Sequence, residues 1–558
     1  MTSAVRAGGA PPLLALAGLG TALPAGFAAR APGWTGADAD LGGVVLAHRA
    51  PWATAVARVL DAGFGAATGL VLVAALVLAL AATRRMRAAW RSLAVVVAGW
   101  GPVPLVRAAV ARPRPPAAHA LVLEQGPHGY PSSHVCLTLS LVIACALLAG
   151  SAVPLVLRAD RLGALALRLD NRRRSWRAGP PDARRVTILL LHAYGMGGTI
   201  RTAFNLAAVL AGDHDVEIVS VTRTRDRPFF PIPPGVRVSF LTGRRAPWPA
   251  RWRSRLIPRQ ETAYDKFDLR TDVALARFLR GLRGGVLITT RPGLNLAAAL
   301  LAPPGVIVIG QEHVGFGTHK PAVRRLIARR YGRLDALVTL TRADLHAYRA
   351  ALGPGAPRHL LRIPNAVPPV RGGPSPLTGK VVLAIGRLSK VKGFDLLLAA
   401  WEQVAAAHPG WTLRIAGSGP DRGRLLDLAE ERRLTGSVRF LGAVRDVGAQ
   451  LDEAAVLAVS SRHEGFPMVI LEAMAKGVPV VSFDCPSGPG EIITHGWDGL
   501  LVPPGDVDAL ATQLCVLIAD EALRRRMGDR ALRTSGRYDA AHVGAEWRRL
   551  LTELGGPR

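Results

Sequence analysis

Lysine and cysteine are the scarce residues of this 558-residue chain. Only six of its 70 basic residues are lysine, which leaves 64 arginines. With abundant alanine, glycine and proline, that excess has the look of a GC-rich coding bias. The net charge of +30 is therefore weak ground for a nucleic-acid partner, and none is expected. Four cysteines are too few for a disulfide scaffold. Cys136 and Cys145 lie in an apolar run, Cys485 and Cys515 lie far downstream, and none has metal-ligand spacing, so neither a metal nor a bound cofactor is expected. Long polar, low-hydrophobicity tracts are also missing. A hydrophobic content of 49% rules out intrinsic disorder, and the length exceeds one compact domain.

The apolar residues are unevenly distributed. Stretches over roughly 11–29, 54–82, 88–110 and 134–157 each approach the ~20 residues that cross a bilayer, so residues 1–157 read as an α-helical membrane domain of about four transmembrane helices. The first stretch, with Pro24 and its small residues, also fits a cleavable signal peptide. Arg84, Arg85, Arg87 and Arg91 separate the second and third stretches, and an arginine-rich run from Arg158 to Arg185 follows the fourth. Basic flanks stay cytoplasmic. The expectation is a multi-pass protein of the cell membrane with everything after residue 160 in the cytoplasm. Residues 158–185 read either as a basic segment on anionic lipid or as a solvated linker.

Two short motifs lie in this half. Arg107 precedes Arg114-Pro115, and Pro131-Ser132-Ser133-His134 opens the fourth stretch. Guanidinium groups grip phosphate bidentately, and a neighbouring His could protonate a leaving alkoxide. Taken singly, they read equally as membrane-edge anchors and an interfacial cap. Together they resemble the type 2 phosphatidic acid phosphatase family, whose motifs are Lys-x6-Arg-Pro and Pro-Ser-Gly-His; here Arg107 replaces Lys and Ser133 replaces Gly. The resemblance covers about residues 55–157. The family's third motif carries the nucleophilic His, but no His occurs from Val135 to Arg185. The resemblance then implies a truncated domain. Arg107, Arg114 and His134 are its vestigial phosphate site, and it serves as an anchor without phosphatase turnover. A bifunctional phosphatase–transferase is the alternative.

Beyond Arg185 the texture changes. Val186-Thr-Ile-Leu-Leu-Leu-His192, 216–221, 286–289, 305–309 and 336–340 are short apolar runs separated by helical patterns. A second series begins at Val381 and continues at 411–417, 438–442, 455–459 and 478–482. Such runs, alternating with helices, predict buried parallel strands in two doubly wound α/β units. The Pro- and Gly-rich stretch 364–376 is the hinge between them. Domains of this kind bind ligands at the carboxyl ends of their strands. The Gly-rich turn before Thr199 leads into a helix. It suits an anion at the helix N-terminus, or only tight strand–helix packing.

The most informative spacing is Glu464-Gly-Phe-Pro-Met-Val-Ile-Leu-Glu472, which sets two carboxylates eight positions apart around a helix start at Pro467. Arg387 and Lys392 follow the strand 381–385 and project toward the same cleft. Cations converging with a helix N-terminus suit a diphosphate, and a carboxylate accepts hydrogen bonds from sugar hydroxyls. Singly, these are ordinary surface charges and a helix-dipole partner. Asp506-Val-Asp508 reads as a helix cap.

In this order and spacing, residues 186–556 resemble a retaining GT-B glycosyltransferase of family 4, two Rossmann-like domains facing across a cleft. The resemblance implies roles residue by residue. Gly197 and Gly198 would form the glycine loop of the N-terminal domain, and Arg387 and Lys392 the diphosphate-binding pair. Glu464 would contact the donor sugar, Glu472 the ribose, and His313, in Gly310-Gln-Glu-His313, the donor sugar. Pro486–Glu491 and Gly499–Gly505 match late loops of the family. The implied layout is an N-terminal acceptor domain over 186–370, a donor domain over 371–539 and a C-terminal helix over 540–558 that packs back on the first domain. The implied activity is metal-independent transfer of a sugar from a nucleotide-diphosphate donor to a cell-envelope, lipid-linked, polysaccharide or small-molecule acceptor. A scaffold built on a degenerate transferase is the non-enzyme reading, and the intact Arg387, Lys392, Glu464 and Glu472 weigh against it.

Overall fold

A computed structural model describes residues 184–243 and 253–555, together with residues 71, 73–75, 96 and 97. Apart from those six positions, the four apolar stretches lie outside the described residues. So do Arg107, Arg114, His134 and the basic run up to residue 183. Among the described residues, no helix is long and apolar enough to cross a membrane. The chain divides after Arg158, and everything below belongs to the unit from Ala159 onward.

The first domain is built on seven parallel strands. They are β1 (Arg185–Leu190), β2 (Asp215–Thr222), β3 (Arg237–Thr242), β4 (Val286–Thr289), β5 (Ile307–Gln311), β6 (Ala336–Thr339) and β7 (His359–Arg362), in spatial order β3-β2-β1-β4-β5-β6-β7. Its helices are α1 (Gly198–Leu210), α2 (Leu269–Gly281), α3 (Pro292–Leu301), α4 (Pro321–Arg330) and α5 (Arg342–Leu352). The central strands are buried on both faces, which explains why they read as unbroken apolar runs.

The second domain has six parallel strands: β8 (Val381–Ile385), β9 (Thr412–Ala416), β10 (Val438–Gly442), β11 (Val456–Val459), β12 (Val480–Phe483) and β13 (Gly499–Val502), ordered β10-β9-β8-β11-β12-β13. Its helices are α6 (Phe394–Ala407), α7 (Arg422–Glu431), α8 (Val447–Asp452), α9 (Met468–Ala475), α10 (Pro489–Ile492), α11 (Val507–Ala519) and α12 (Glu521–Ser535). Asp506 caps α11 by accepting from the Ala509 N–H at 2.9 Å.

The chain crosses between domains twice, after Arg362 and again after Tyr538. The crossings are joined where the Val367 N–H donates to the Tyr538 carbonyl at 2.7 Å. The last helix, α13 (Ala540–Gly555), places Val543, Trp547, Leu550, Leu551 and Leu554 in the core of the first domain.

Strand order reverses between β1 and β4 in one sheet and between β8 and β11 in the other. At such switch points the connections leave in opposite directions and open a crevice at the carboxyl ends. The segments that follow these four strands carry most of the candidate site.

Candidate active site

In the first domain, parallel register sets Leu189 beside Thr289 and Thr289 beside Gly310. The residues just past those strand ends, His192, Arg291 and His313, therefore line one edge of the sheet. Thr290 ties the edge together by donating to the Leu189 carbonyl at 2.9 Å. Arg291 is held by Glu261, whose Oε1 accepts from Nε at 3.1 Å and Nη2 at 2.6 Å.

His192 and His313 are neutral at physiological pH. Burial pulls the His192 imidazole down to about 4, assisted by Lys266, Arg291, Arg225 and, from the other domain, Arg387. Burial, and then Arg291, does the same to His313, also to about 4. Among the described residues, neither His192 Nδ1 nor His313 Nε2 finds a hydrogen-bond partner, although both are buried.

Behind His313 a buried polar network fixes the end of β5. Glu312 accepts from Asn295 Nδ2 at 2.8 Å and from the Tyr331 hydroxyl. Asn295 in turn accepts from Thr289 at 2.5 Å.

Gly197 caps the start of α1 in extended backbone, and α1 has no acidic residue in its first turn and no side-chain cap. A Cβ on Gly198 would meet nothing within 4 Å, and one on Gly197 only Ile200 at 3.9 Å. The tight glycine is Gly195, where a Cβ would stand 2.6 Å from the His192 ring. Gly195 opens the Gly-rich turn and His192 ends the first apolar run, but the sequence assigned a site role only to Gly197 and Gly198 of this segment.

In the second domain, Arg387 leaves the end of β8 exposed, with no ion pair among the described residues. Lys392 closes a short 3-10 turn before Gly393. Gly393 has φ +64, and a Cβ there would strike the Ser460 carbonyl at 1.9 Å. This close approach brings the β8 loop against the β11 loop. Lys392 Nζ meets Glu464 Oε1 at 2.5 Å, and Ser461 donates to the same oxygen at 2.6 Å. Arg462 fastens both loops, donating to both Asp395 oxygens and to the Lys390 carbonyl at 2.8 Å each. Arg462 is a second positioning residue that no motif marked. Glu472 lies inside α9, 1% exposed, with the Arg201 guanidinium of α1 at 2.8 Å.

The two domains meet at these loops. A Cβ on Gly465 would lie 2.1 Å from the His313 carbonyl, so the backbone beside Glu464 touches the His313 segment directly. Glu491 accepts from the Arg342 and Ala343 N–H groups at 2.8 and 2.9 Å, capping α5 of the opposite domain. Among the described residues, no three His, Cys, Asp or Glu side chains are grouped to hold a metal ion.

Comparison with known proteins places this geometry in a class. Residues 371–534 match the family described as glycosyl transferases group 1. An exopolysaccharide phosphotransferase of Streptomyces coelicolor is 38% identical over 389 residues, 66% of this chain; the match spans 41% of that protein's length. An amylovoran biosynthesis glycosyltransferase of Erwinia amylovora is 28% identical over 378 residues, covering 66% of this chain and 99% of that protein. Among solved structures, Anabaena HepE in complex with UDP and glucose aligns with TM-score 0.52 at 18% identity, covering 66% of this chain and 99% of that one. The fold is GT-B. Residues 371–534 form a glycosyl transferases group 1 domain, and the enzyme class is glycosyltransferase.

Proposed function

We propose that this chain transfers a sugar, with retention of configuration, from a nucleoside-diphosphate donor to a cell-envelope or lipid-linked acceptor at the cytoplasmic face of a membrane. The observation that supports it best is the Lys392–Glu464 pair, which joins the loops after β8 and β11 at the switch point of the second domain, with the backbone beside Glu464 against the His313 segment of the first. A departing diphosphate gains negative charge while the sugar becomes oxocarbenium-like. Among the described residues Arg387 makes no ion pair and Lys392 pairs with Glu464 alone, which supports their opposing the charge on the diphosphate. Glu464 exchanges its lysine for sugar hydroxyls when the donor enters. The protein's own cations carry the charge, so the reading requires no bound metal. The apolar stretches before residue 158 and their arginine flanks support membrane attachment, with Arg107, Arg114 and His134 remaining as a phosphate-binding anchor.

One preparation tests both parts. Washed membranes from cells making the full chain, opened to expose the cytoplasmic face, are offered UDP-glucose, UDP-N-acetylglucosamine and GDP-mannose with endogenous acceptors. One donor is expected to label product. Glu464→Gln, Arg387→Ala and Lys392→Ala should each lower turnover by ~10²–10³. Unchanged turnover in all three variants would refute the site, and activity confined to the soluble fraction would refute the attachment.

A further inference from the structure

Arg201 takes no part in the site as derived above, yet its side chain crosses between the domains. It stands in the first turn of α1, just past the Gly197–Gly198 loop, and packs 5.5 Å from the centre of the Phe230 ring. Its Nη1 reaches Glu472 Oε1 at 2.8 Å. Glu472 is on α9 of the other domain, and both of its oxygens are buried. Neither oxygen has an aligned hydrogen bond: the Arg201 contact is an ion pair without donor alignment, and Oε2 has no partner among the described residues. A buried carboxylate left short of hydrogen bonds costs ~1–3 kcal/mol or more, so folding tolerates it where something else supplies the donors. A vicinal diol has two O–H donors suited to that deficit.

We infer that Arg201 is a positioning residue that aims the Glu472 carboxylate at the donor's ribose, so that recognition of the ribose requires the first domain to close on the second. The inference rests on the donor reading above, in which Glu472 meets the ribose. Arg201 satisfies Oε1 electrostatically and leaves Oε2 to the sugar. With the domains apart, Glu472 loses the Arg201 cation. Arg201 is the one charged group among the described residues whose field is felt at Glu472. Burial pushes the carboxyl up to about 7, and Arg201 works against that rise. Without Arg201 that opposition is lost, and the balance shifts further toward the neutral acid, which presents a hydroxyl where the ribose needs acceptors.

The test compares UDP with 2′-deoxy-UDP and 3′-deoxy-UDP, and GDP with its deoxy counterparts, by calorimetric binding to the full-length protein. The wild type should prefer one ribonucleotide over its deoxy forms. Arg201→Ala should lose about 10-fold in affinity for that ribonucleotide and little for the deoxy forms, so that discrimination collapses. Arg201→Lys should restore part of it. The affinity of Arg201→Ala should recover as pH rises, with a midpoint above that of the wild type. Should Arg201→Ala fail to fold, Arg201→Lys alone must show a partial loss of discrimination.

Discrimination unchanged in Arg201→Ala, or a tighter ribonucleotide complex, overturns the inference; the latter would make the guanidinium a blocker of the carboxylate. Glu472→Gln separates the two levels of the argument. If it abolishes discrimination while Arg201→Ala does not, only the positioning role falls. If Glu472→Gln also leaves discrimination intact, the ribose assignment itself is wrong.

Discussion

His192 and His313 show how a single residue type changes meaning with its surroundings. Each sits just past a strand end, where a histidine invites assignment as an acid or base. Burial and neighbouring cations hold both near 4, so neither imidazole carries the second proton, and with it a charge, at neutral pH. They can accept or donate a hydrogen bond there, but they cannot supply positive charge to a departing diphosphate; under the function proposed here, that falls to Arg387 and Lys392. The consequence for stability has a definite sign. The folded pKa values are depressed, and an unfolded imidazole titrates near 6.5. As pH falls from about 6.5 toward 4, the unfolded chain binds protons that the folded sites refuse, so stability is lost across that window. His192→Asn should flatten the decline in chemical-denaturation midpoint between pH 6.5 and 4.5, and His192→Asn with His313→Asn should flatten it further. A double variant as acid-sensitive as the wild type would show that these rings are charged in the folded state.

At the scale of elements, the closing contact is a helix end. The N-terminus of α5 leaves unsatisfied N–H groups. Among the described residues, the Arg342 and Ala343 amides donate to Glu491 from α10 and to no residue of their own domain, with Arg362 beside it at 3.8 Å. Glu491→Ala should loosen domain closure by ~0.5–2 kcal/mol, the usual range for a lost cap. Amide hydrogen exchange over residues 342–347 should then quicken while β1 stays protected. Unchanged exchange in that segment would mean that Glu491 does not hold the domains together.

Such elements also show what a linear reading captures. The central strands were plain in the sequence because burial on both faces leaves no polar alternation. Strands β3 and β7, only partly buried at the sheet edges, lack that run, and β13 reads as a loop because Gly499 opens it and Pro503 closes it. Glu464 and Lys392 could be named from motifs. The Arg201–Glu472 pair, the Arg291–Glu261 pair and the Glu491 cap join residues 271, 30 and about 149 positions apart, and only the fold brings them together.

Over the whole molecule, the distribution of charge bears on what the enzyme modifies. The carboxyl edge of the first sheet carries Arg223 and Arg225 after β2, His192 after β1 and Arg291 after β4, with Lys266 near enough for its field to act on His192. Glu261 neutralises Arg291, and Arg223 lies over the Tyr194 and Phe240 rings. Arg225 is exposed and makes no ion pair among the described residues. In the proposed function the donor's diphosphate is met by Arg387 and Lys392 on the other domain. On that proposal the surplus on the first domain is left for the acceptor, and the prediction is an acceptor bearing phosphate or carboxylate. Positive potential in a cleft between low-dielectric walls also raises the local concentration of anions, an effect that weakens with salt. An extract resolved on an anion-exchange column and offered labelled donor should show its accepting material retained by the resin, not in the flow-through. Arg225→Glu should raise the KM for that retained fraction by about 10-fold or more and leave the donor KM within a factor of two, since losing one charged partner and adding a repulsive one costs ~1.5–3 kcal/mol. Accepting activity found only in the uncharged flow-through would assign the surplus charge to the donor.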